Sequence, residues 1–292
     1  MNLFLPAHNV EQIASYSALK VSAVILSTAF CSSKTQHPLT MEELSSISKK
    51  AVELNLPWYL SVNRMMLQSE WSAFENEIQQ IISYQPTGFI VSDLGVMHYL
   101  KKNFPNKRMV LQTDTTITNA QDIEILLSMG VHLVALAREL TFDEVSEIVK
   151  QHGNQVLISG FGYQSMSTSN RSLMSNYFEH IERDIEVLYK RFTLQEESRM
   201  ERYPTMQDNH GFHIFTSSVL ENFDEVNLLE RVGLKHLIID SLFIDEETVH
   251  TVIETFNKNI PVDVAIAQIS EKYPLSKALY YTPTSAVKAV NL

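Results

Sequence analysis

The residues best placed to do chemistry stand at the ends of short apolar runs. They are Asn63 with Arg64, Ser92 with Asp93, Asp114 among Thr113, Thr115 and Thr116, Arg138 with Glu139, Ser159 with Gly162, and Asp240. Enzymes built as β/α barrels carry their reactive groups at the C-terminal ends of the strands, so one fold would gather all of these on one rim. Arg138 offers a planar fork for a carboxylate or phosphate. Glu139 beside it could orient that fork or act as a base; the alternative is an ion pair that closes the barrel mouth. Asp114 lies in a Thr-rich run that could equally be a local turn. Asp240 ends a strongly apolar run, as a site carboxyl or as a turn or cap residue. The ten histidines show no HExxH spacing, and His210 and His213 fall three apart in a turn-and-strand segment. Histidine metal binding is therefore not indicated, and GxGxxG, GxxxxGK(S/T) and GxSxG are all missing.

The elements that must position these groups alternate. Strand-like runs occur at 3–6, 21–26, 57–62, 88–91, 109–112, 131–136, 155–158 and 235–240. Between them lie helical stretches at 9–16, 40–53, 70–83, 94–102, 120–129 and 141–150, with another at 246–256 after the last strand. Thr40 with Glu43 and Thr141 with Glu144 form capping-box patterns at two helix starts. The strand runs are continuously apolar, as expected when both faces are covered. The pattern predicts an α/β fold, a TIM-like (β/α) barrel over 1–260, with an open doubly wound sheet as the alternative. The beat breaks between Gly160 and Ser218. This insertion reads as a polar loop from Gly160 to Asn170, a charged helix from Glu179 to Met200, a turn from Tyr203 to Gly211 and a strand from Phe212 to Thr216. Residues 261–292 read as a weakly patterned tail, its end at Tyr280 to Leu292 either docked or mobile.

Composition narrows the class. The chain has 292 residues, 45% hydrophobic, and a net charge of -11. Phosphate-backbone binding needs clustered positive charge, so this acidic chain is a poor solo RNA clamp. Its single cysteine, Cys31, can close no internal disulfide and cannot by itself hold a zinc or iron–sulfur centre. No signal peptide or membrane-length apolar stretch is visible, so the cytoplasm is the expected compartment. The arginines of the insertion (Arg171, Arg183, Arg191, Arg199 and Arg202) are interleaved with acids, which reads as a solvated mixed-charge face or a partner-facing stripe.

An ordered series of segments resembles peptidase family U32, and in particular its short tRNA-hydroxylation branch. Leu136-Ala137-Arg138-Glu139-Leu140-Thr141 is similar to the family's A-R-E-L-S-type segment. Gln112 to Asn119 resembles its S-T-x-x-T-x-T-N region, and Arg202-Tyr203-Pro204 and Gly211-Phe212-His213-Ile214 its RYP and G-T-H-I segments. Val232 to Asp240 resembles its G-I-x-x-x-K-I-D strand. The family signature, a G-S-L-C element followed by G-x-C-x-(L/I/V/M)-S, aligns with Gly162 and with Met174-Ser175, but Ser165 and Ser172 stand where it has cysteines. Arg171-Ser172-Leu173 and Asn176-Tyr177-Phe178 match the short branch.

The resemblance implies a β/α barrel that acts in, or assists, prephenate-dependent 5-hydroxylation of the tRNA wobble uridine beside a longer U32 paralogue. Arg138 and Arg171 would hold an anionic small molecule or phosphate, with Asn63, Thr116 and Tyr177 completing the binding set. Glu139, Asp114 and Asp240 would orient it or move protons. Some relatives hold an iron–sulfur cluster on four cysteines; with serines at 165 and 172, no such cofactor is expected here. The alternatives are a collagenase-like peptidase and a non-catalytic structural subunit.

Overall fold

The structure is a computed structural model and describes residues 1–282. Eight parallel strands close into a barrel. They are β1 (Asn2–Pro6), β2 (Ala23–Leu26), β3 (Trp58–Val62), β4 (Gly88–Val91), β5 (Arg108–Leu111), β6 (Leu133–Ala135), β7 (Val156–Ser169) and β11 (His236–Ile239). Closure rests on β11, which pairs with β1 through Leu237 and Leu3 and with β7 through Leu237 and Ile158. The open-sheet alternative is thereby set aside. The continuous apolar runs follow from burial on both faces. One set of side chains, including Phe4, Ile25, Tyr59, Ile90, Val110 and Leu157, fills the barrel. Their neighbours along each strand, such as Leu3, Val24, Leu60, Phe89 and Leu111, pack outward beneath the helices.

The surrounding helices are α1 (Val10–Ala18), α2 (Met41–Glu53), α3 (Trp71–Ile82), α4 (Leu94–Asn103), α5 (Ala120–Ser128), α6 (Phe142–His152), α8 (Phe223–Arg231) and α9 (Glu246–Phe256). Both capping boxes form. At α6 the Glu144 carboxylate accepts from the Thr141 amide at 2.7 Å, and the Thr141 hydroxyl accepts from the Glu144 amide at 3.5 Å. Since α6 follows Arg138 and Glu139 directly, Thr141→Ala is expected to cost about 1 kcal/mol, read as a lower midpoint in urea unfolding.

The insertion differs from the sequence expectation. Gly160 to Asn170 is not a loop: β7 runs on for 14 residues, leaves the barrel and pairs antiparallel with β10 (Gly211–Glu221), bringing Tyr163 opposite Val219 and Thr168 opposite His213. The stretch from Tyr203 to Gly211 is not a turn but mostly β9 (Tyr203–Asp208), paired with β10, and β8 (Arg191–Leu194) pairs with β9. The charged helix expected from Glu179 to Met200 does not form: Arg191–Leu194 within that span is β8, and a short helix, α7 (Leu173–His180), ends at its start. The chain beyond it cannot stay helical because Glu182 and Tyr189 take left-handed backbone angles, φ 54° and 60°. After α9, helix α10 (Val262–Ser270) packs on α9, and β12 (Leu275–Ser276) pairs with β10. Tyr280 is buried beside Phe142 and receives a hydrogen bond from Asn222 Nδ2 at 3.3 Å. The rest of the expected docking segment, 283–292, lies outside the described residues. Among the described residues no helix is long and apolar enough to cross a membrane.

Candidate functional site

A cavity of about 550 Å³ opens at the C-terminal mouth of the barrel. Its walls are half apolar, with Leu136, Ile158, Phe215 and Leu220. Lys34, Gln112, Asp114, Arg138, Glu139 and Asp240 supply the polar side. The antiparallel extension, through Gln164, Ser165 and Tyr203, and the segment Ala278 to Tyr280 form further walls. A smaller cavity of about 220 Å³ shares Lys34, Asn63, Gln112 and Asp240 and reaches His8 and His37.

Lys34 is the centre of this arrangement. Its ammonium lies 2.6 Å from the Asp114 carboxylate. Both residues sit in the left-handed backbone region, at φ 60° and 68°. Such conformations are uncommon for residues with a Cβ and persist only where the surroundings enforce them. Here the enforcement is visible. The Lys34 amide donates to Asp208 Oδ2 at 2.8 Å. The other oxygen of Asp208 accepts from the His210 amide at 2.8 Å. His213 Nε2 stands 3.0 Å from Asp208 Oδ2, and both side chains are essentially inaccessible, at 0% and 1%. Burial alone would raise the Asp208 carboxyl, but the His213 contact and the two amide donors outweigh it and hold it below the ordinary carboxylate range. The same turn fixes the lysine's loop a second time, through the His210 ring on the Ala29 carbonyl at 2.7 Å. From the other side, Asn63 grips Ser33 with both ends of its amide, Oδ1 accepting at 2.8 Å and Nδ2 donating at 3.1 Å.

Asp240 sits where the two cavities meet. Burial pushes its carboxyl up to about 6, with Asp114 adding to the rise and the Leu242 amide and Lys34 opposing it. A carboxyl in that range exchanges protons near neutral pH and suits acid–base work. Gly162 makes its position possible. At φ 125°, a Cβ there would collide with the Asp240 backbone and side chain. Gly162→Ala is therefore expected to lower stability by about 1–3 kcal/mol through strain and overpacking. Urea unfolding reads this loss, which should exceed that of Gly95→Ala, a position with an ordinary backbone angle. His8, facing the smaller cavity, is pushed down to about 4 by burial and by His37, so its ring is neutral at ordinary pH.

Five of the eight site residues named from the sequence line the main cavity: Asn63, Asp114, Arg138, Glu139 and Asp240. Asn63 is committed to holding the Ser33 backbone. Arg138 and Glu139 form a loose pair at 3.7 Å, the glutamate exposed and the arginine mostly covered. Thr116, Arg171 and Tyr177 are not brought to the cavity. Thr116 is exposed and donates to the Thr113 hydroxyl at 2.6 Å. Arg171 and Tyr177 are exposed at and on α7. Sequence reasoning missed Lys34, because it stands deep in the long β2–α2 loop instead of directly after its strand. It also missed Gln112 and Gln164 as lining residues, although each lies in a segment already singled out.

The four-cysteine cluster of some relatives does not fit these residues. Ser165 lines the cavity, but Ser172 is exposed at the start of α7. Cys31 is fully buried, and burial, with Glu77 beside it, raises its thiol well above the usual range. Among the described residues no three His, Cys, Asp or Glu side chains converge as a metal site.

Comparison with known proteins places this geometry in a family. The model of Peptidase family U32 matches residues 7–280. The tRNA hydroxylation protein P2 of Bacillus subtilis is 25% identical over 206 residues, covering 69% of this chain and 66% of that protein. The tRNA hydroxylation protein P of Haemophilus influenzae is 30% identical over 138 residues, covering 47% of this chain and 28% of that protein. The match thus spans under a third of that longer relative and just under two thirds of the shorter one. A solved U32 peptidase superposes with a TM-score of 0.54 at 10% identity, over 82% of this chain and 92% of that one, and shares the fold. With the family pattern running through nearly the whole barrel, this chain belongs to peptidase family U32.

Proposed function

We propose that this chain serves the hydroxylation of tRNA, the activity for which its Bacillus and Haemophilus relatives are named. In the finer form of the proposal the product is 5-hydroxyuridine at the wobble position, the reaction depends on prephenate, and a longer U32 paralogue is the partner. The observation that carries the reading is the mouth cavity itself. At about 550 Å³ it lies within the usual span of small-molecule sites and has apolar walls suited to a ring. A base extruded from its stack needs such a pocket. Lys34 and Arg138 supply cations for a carboxylate or phosphate on the small molecule, and Asp240 supplies a carboxyl able to take or give a proton. The net charge of -11 supports the partnership, because tRNA affinity needs a basic surface that the longer subunit would contribute. The peptidase alternative finds no cysteine in the cavity, since Cys31 is sealed in the core as a thiol, and no histidine among the residues lining it to activate a serine such as Ser165.

Mass spectrometry of nucleosides from total tRNA, with and without the gene, tests the proposal. A fall in 5-hydroxyuridine derivatives is expected. Unchanged levels, even with the paralogous gene also deleted, would sink the modification reading.

A further inference from the structure

A third cavity, of about 290 Å³, opens at the opposite, N-terminal end of the barrel, among the starts of β1, β3, β5, β6 and β11. Its lining includes Tyr59, Arg108, His132 and His236 and no acidic residue, in a chain whose net charge is -11. A barrel's N-terminal end serving stability alone is expected to carry apolar groups or neutralised pairs. An arginine facing a cavity with no carboxylate in its wall is neither.

Hydrogen-bond donors are among the groups around it. His132 Nδ1 accepts the Met109 amide at 3.1 Å, which leaves the proton on Nε2 as a donor. The Tyr59 phenol lines the cavity with Arg108; burial raises it and Arg108 opposes the rise. His236 is used at both nitrogens, against the Asn154 carbonyl at 3.2 Å and the Asn2 amide at 3.3 Å. The Arg108 guanidinium and the His132 Nε2–H are thus donors at the cavity, beside the side-chain amides of Asn2 and Asn154. Below them, Phe4, Val110 and Leu133 give an apolar floor, while Arg108 and His132 are exposed at the cavity's rim. The two histidines also register a positive field. Burial lowers both; Lys101 and Arg108 lower His132 further, and Arg108, Lys235 and the N-terminal ammonium lower His236 further, against the Asn154 contact that raises it.

We propose that this end of the barrel is a second binding site, for a small oxyanion of phosphate or carboxylate type, held by Arg108, the Tyr59 hydroxyl and His132. The site is independent of the mouth cavity and of the reaction carried out there.

The test is a histidine-resolved NMR pH titration of the full chain at constant ionic strength, with sulfate and, separately, acetate as probes. A bound anion favours imidazolium, so the His132 midpoint should rise saturably by about one unit. His236 should follow by less, and the exposed His98 should not move. A rise with both probes assigns carboxylate as well as phosphate-like ligands; a rise with sulfate alone assigns the phosphate class. Arg108→Gln is expected to weaken sulfate binding about tenfold or more. Tyr59→Phe keeps the ring that packs 5.4 Å from Phe4 and removes only the hydroxyl, and it too should weaken binding. Unmoved midpoints with both probes, an equal shift at His98, or a shift that survives both substitutions would overturn the site.

Discussion

Asp240→Asn is expected to stabilise the fold above pH 6 while abolishing tRNA hydroxylation. In the folded chain the carboxyl titrates at about 6, against about 3.9 when the chain is unfolded. Below pH 4 the side chain is protonated in both states and the shift has no effect. As pH rises from 4 to 6 the unfolded chain releases its proton first, so stability falls, and above 6 the whole cost is present. A shift of about two units corresponds to about 3 kcal/mol when fully felt. Asp240 reaches the cavities and their water, which reduces the figure to about 2 kcal/mol. Asparagine keeps an oxygen for the Leu242 amide, which Asp240 accepts at 3.0 Å, and never ionises. Urea unfolding at pH 4 and pH 8 should therefore show little difference between the variant and the native chain at the lower pH and a clear gain at the higher. Loss of stability at pH 8 would show that the charged form is the favoured one. Loss of the proposed tRNA hydroxylation alongside that gain would mark a carboxyl retained for its chemistry.

Asp208→Ala should be the most destabilising substitution around the site, at about 3–5 kcal/mol. It leaves the His213 ring buried beside an empty space and strips acceptors from the Lys34 and His210 amides, which Asp208 holds at 2.8 Å each. The native carboxyl lies below its ordinary range, so its contribution is present above about pH 4 and is lost as acid protonates it. Lys34→Ala offers the contrast. It removes only one partner of an ion pair whose side chains are 17% and 28% exposed, and should cost about 1 kcal/mol or less. The lysine variant should thus lose hydroxylation with its urea midpoint nearly intact, whereas the aspartate variant loses both. Equal midpoints for the two variants would contradict the clamp.

What the sequence disclosed, and what it hid, follows from how locally each feature is determined. Strands such as Gly88–Val91 and helices such as Glu246–Phe256 were legible to the residue, because burial on both faces or a capped amphipathic pattern is written in adjacent positions. The extension of β7 was not. Gln164 to Ser169 is polar because that stretch has left the barrel and is only partly covered, so its strand identity depends on pairing with β10 about 50 residues later. Helix α8 was missed for a related reason: Asn222 supplies no side-chain cap, its amide reaching instead for the Ser159 carbonyl at 2.8 Å. In the site, Asp114, Arg138 and Asp240 were found by their places after strands. Lys34 was hidden because residues far from it in sequence, Asp208 and His210 of the insertion and Asn63, bring its loop over the mouth. Arg171, noted in the insertion's charged cluster, and Tyr177, noted by resemblance, are left outside the cavity by the fold.

The central claim is that the barrel mouth around Lys34 and Asp240 is where this chain acts on tRNA. Complementation tests it most directly. Cells lacking the gene and its paralogue would receive the native paralogue together with native, Lys34→Ala or Asp240→Asn chain, and tRNA 5-hydroxyuridine would be quantified by nucleoside mass spectrometry. The account predicts restoration by the native chain and none by either variant at equal soluble abundance. Full restoration by both variants would place the chemistry elsewhere and leave this chain a structural companion.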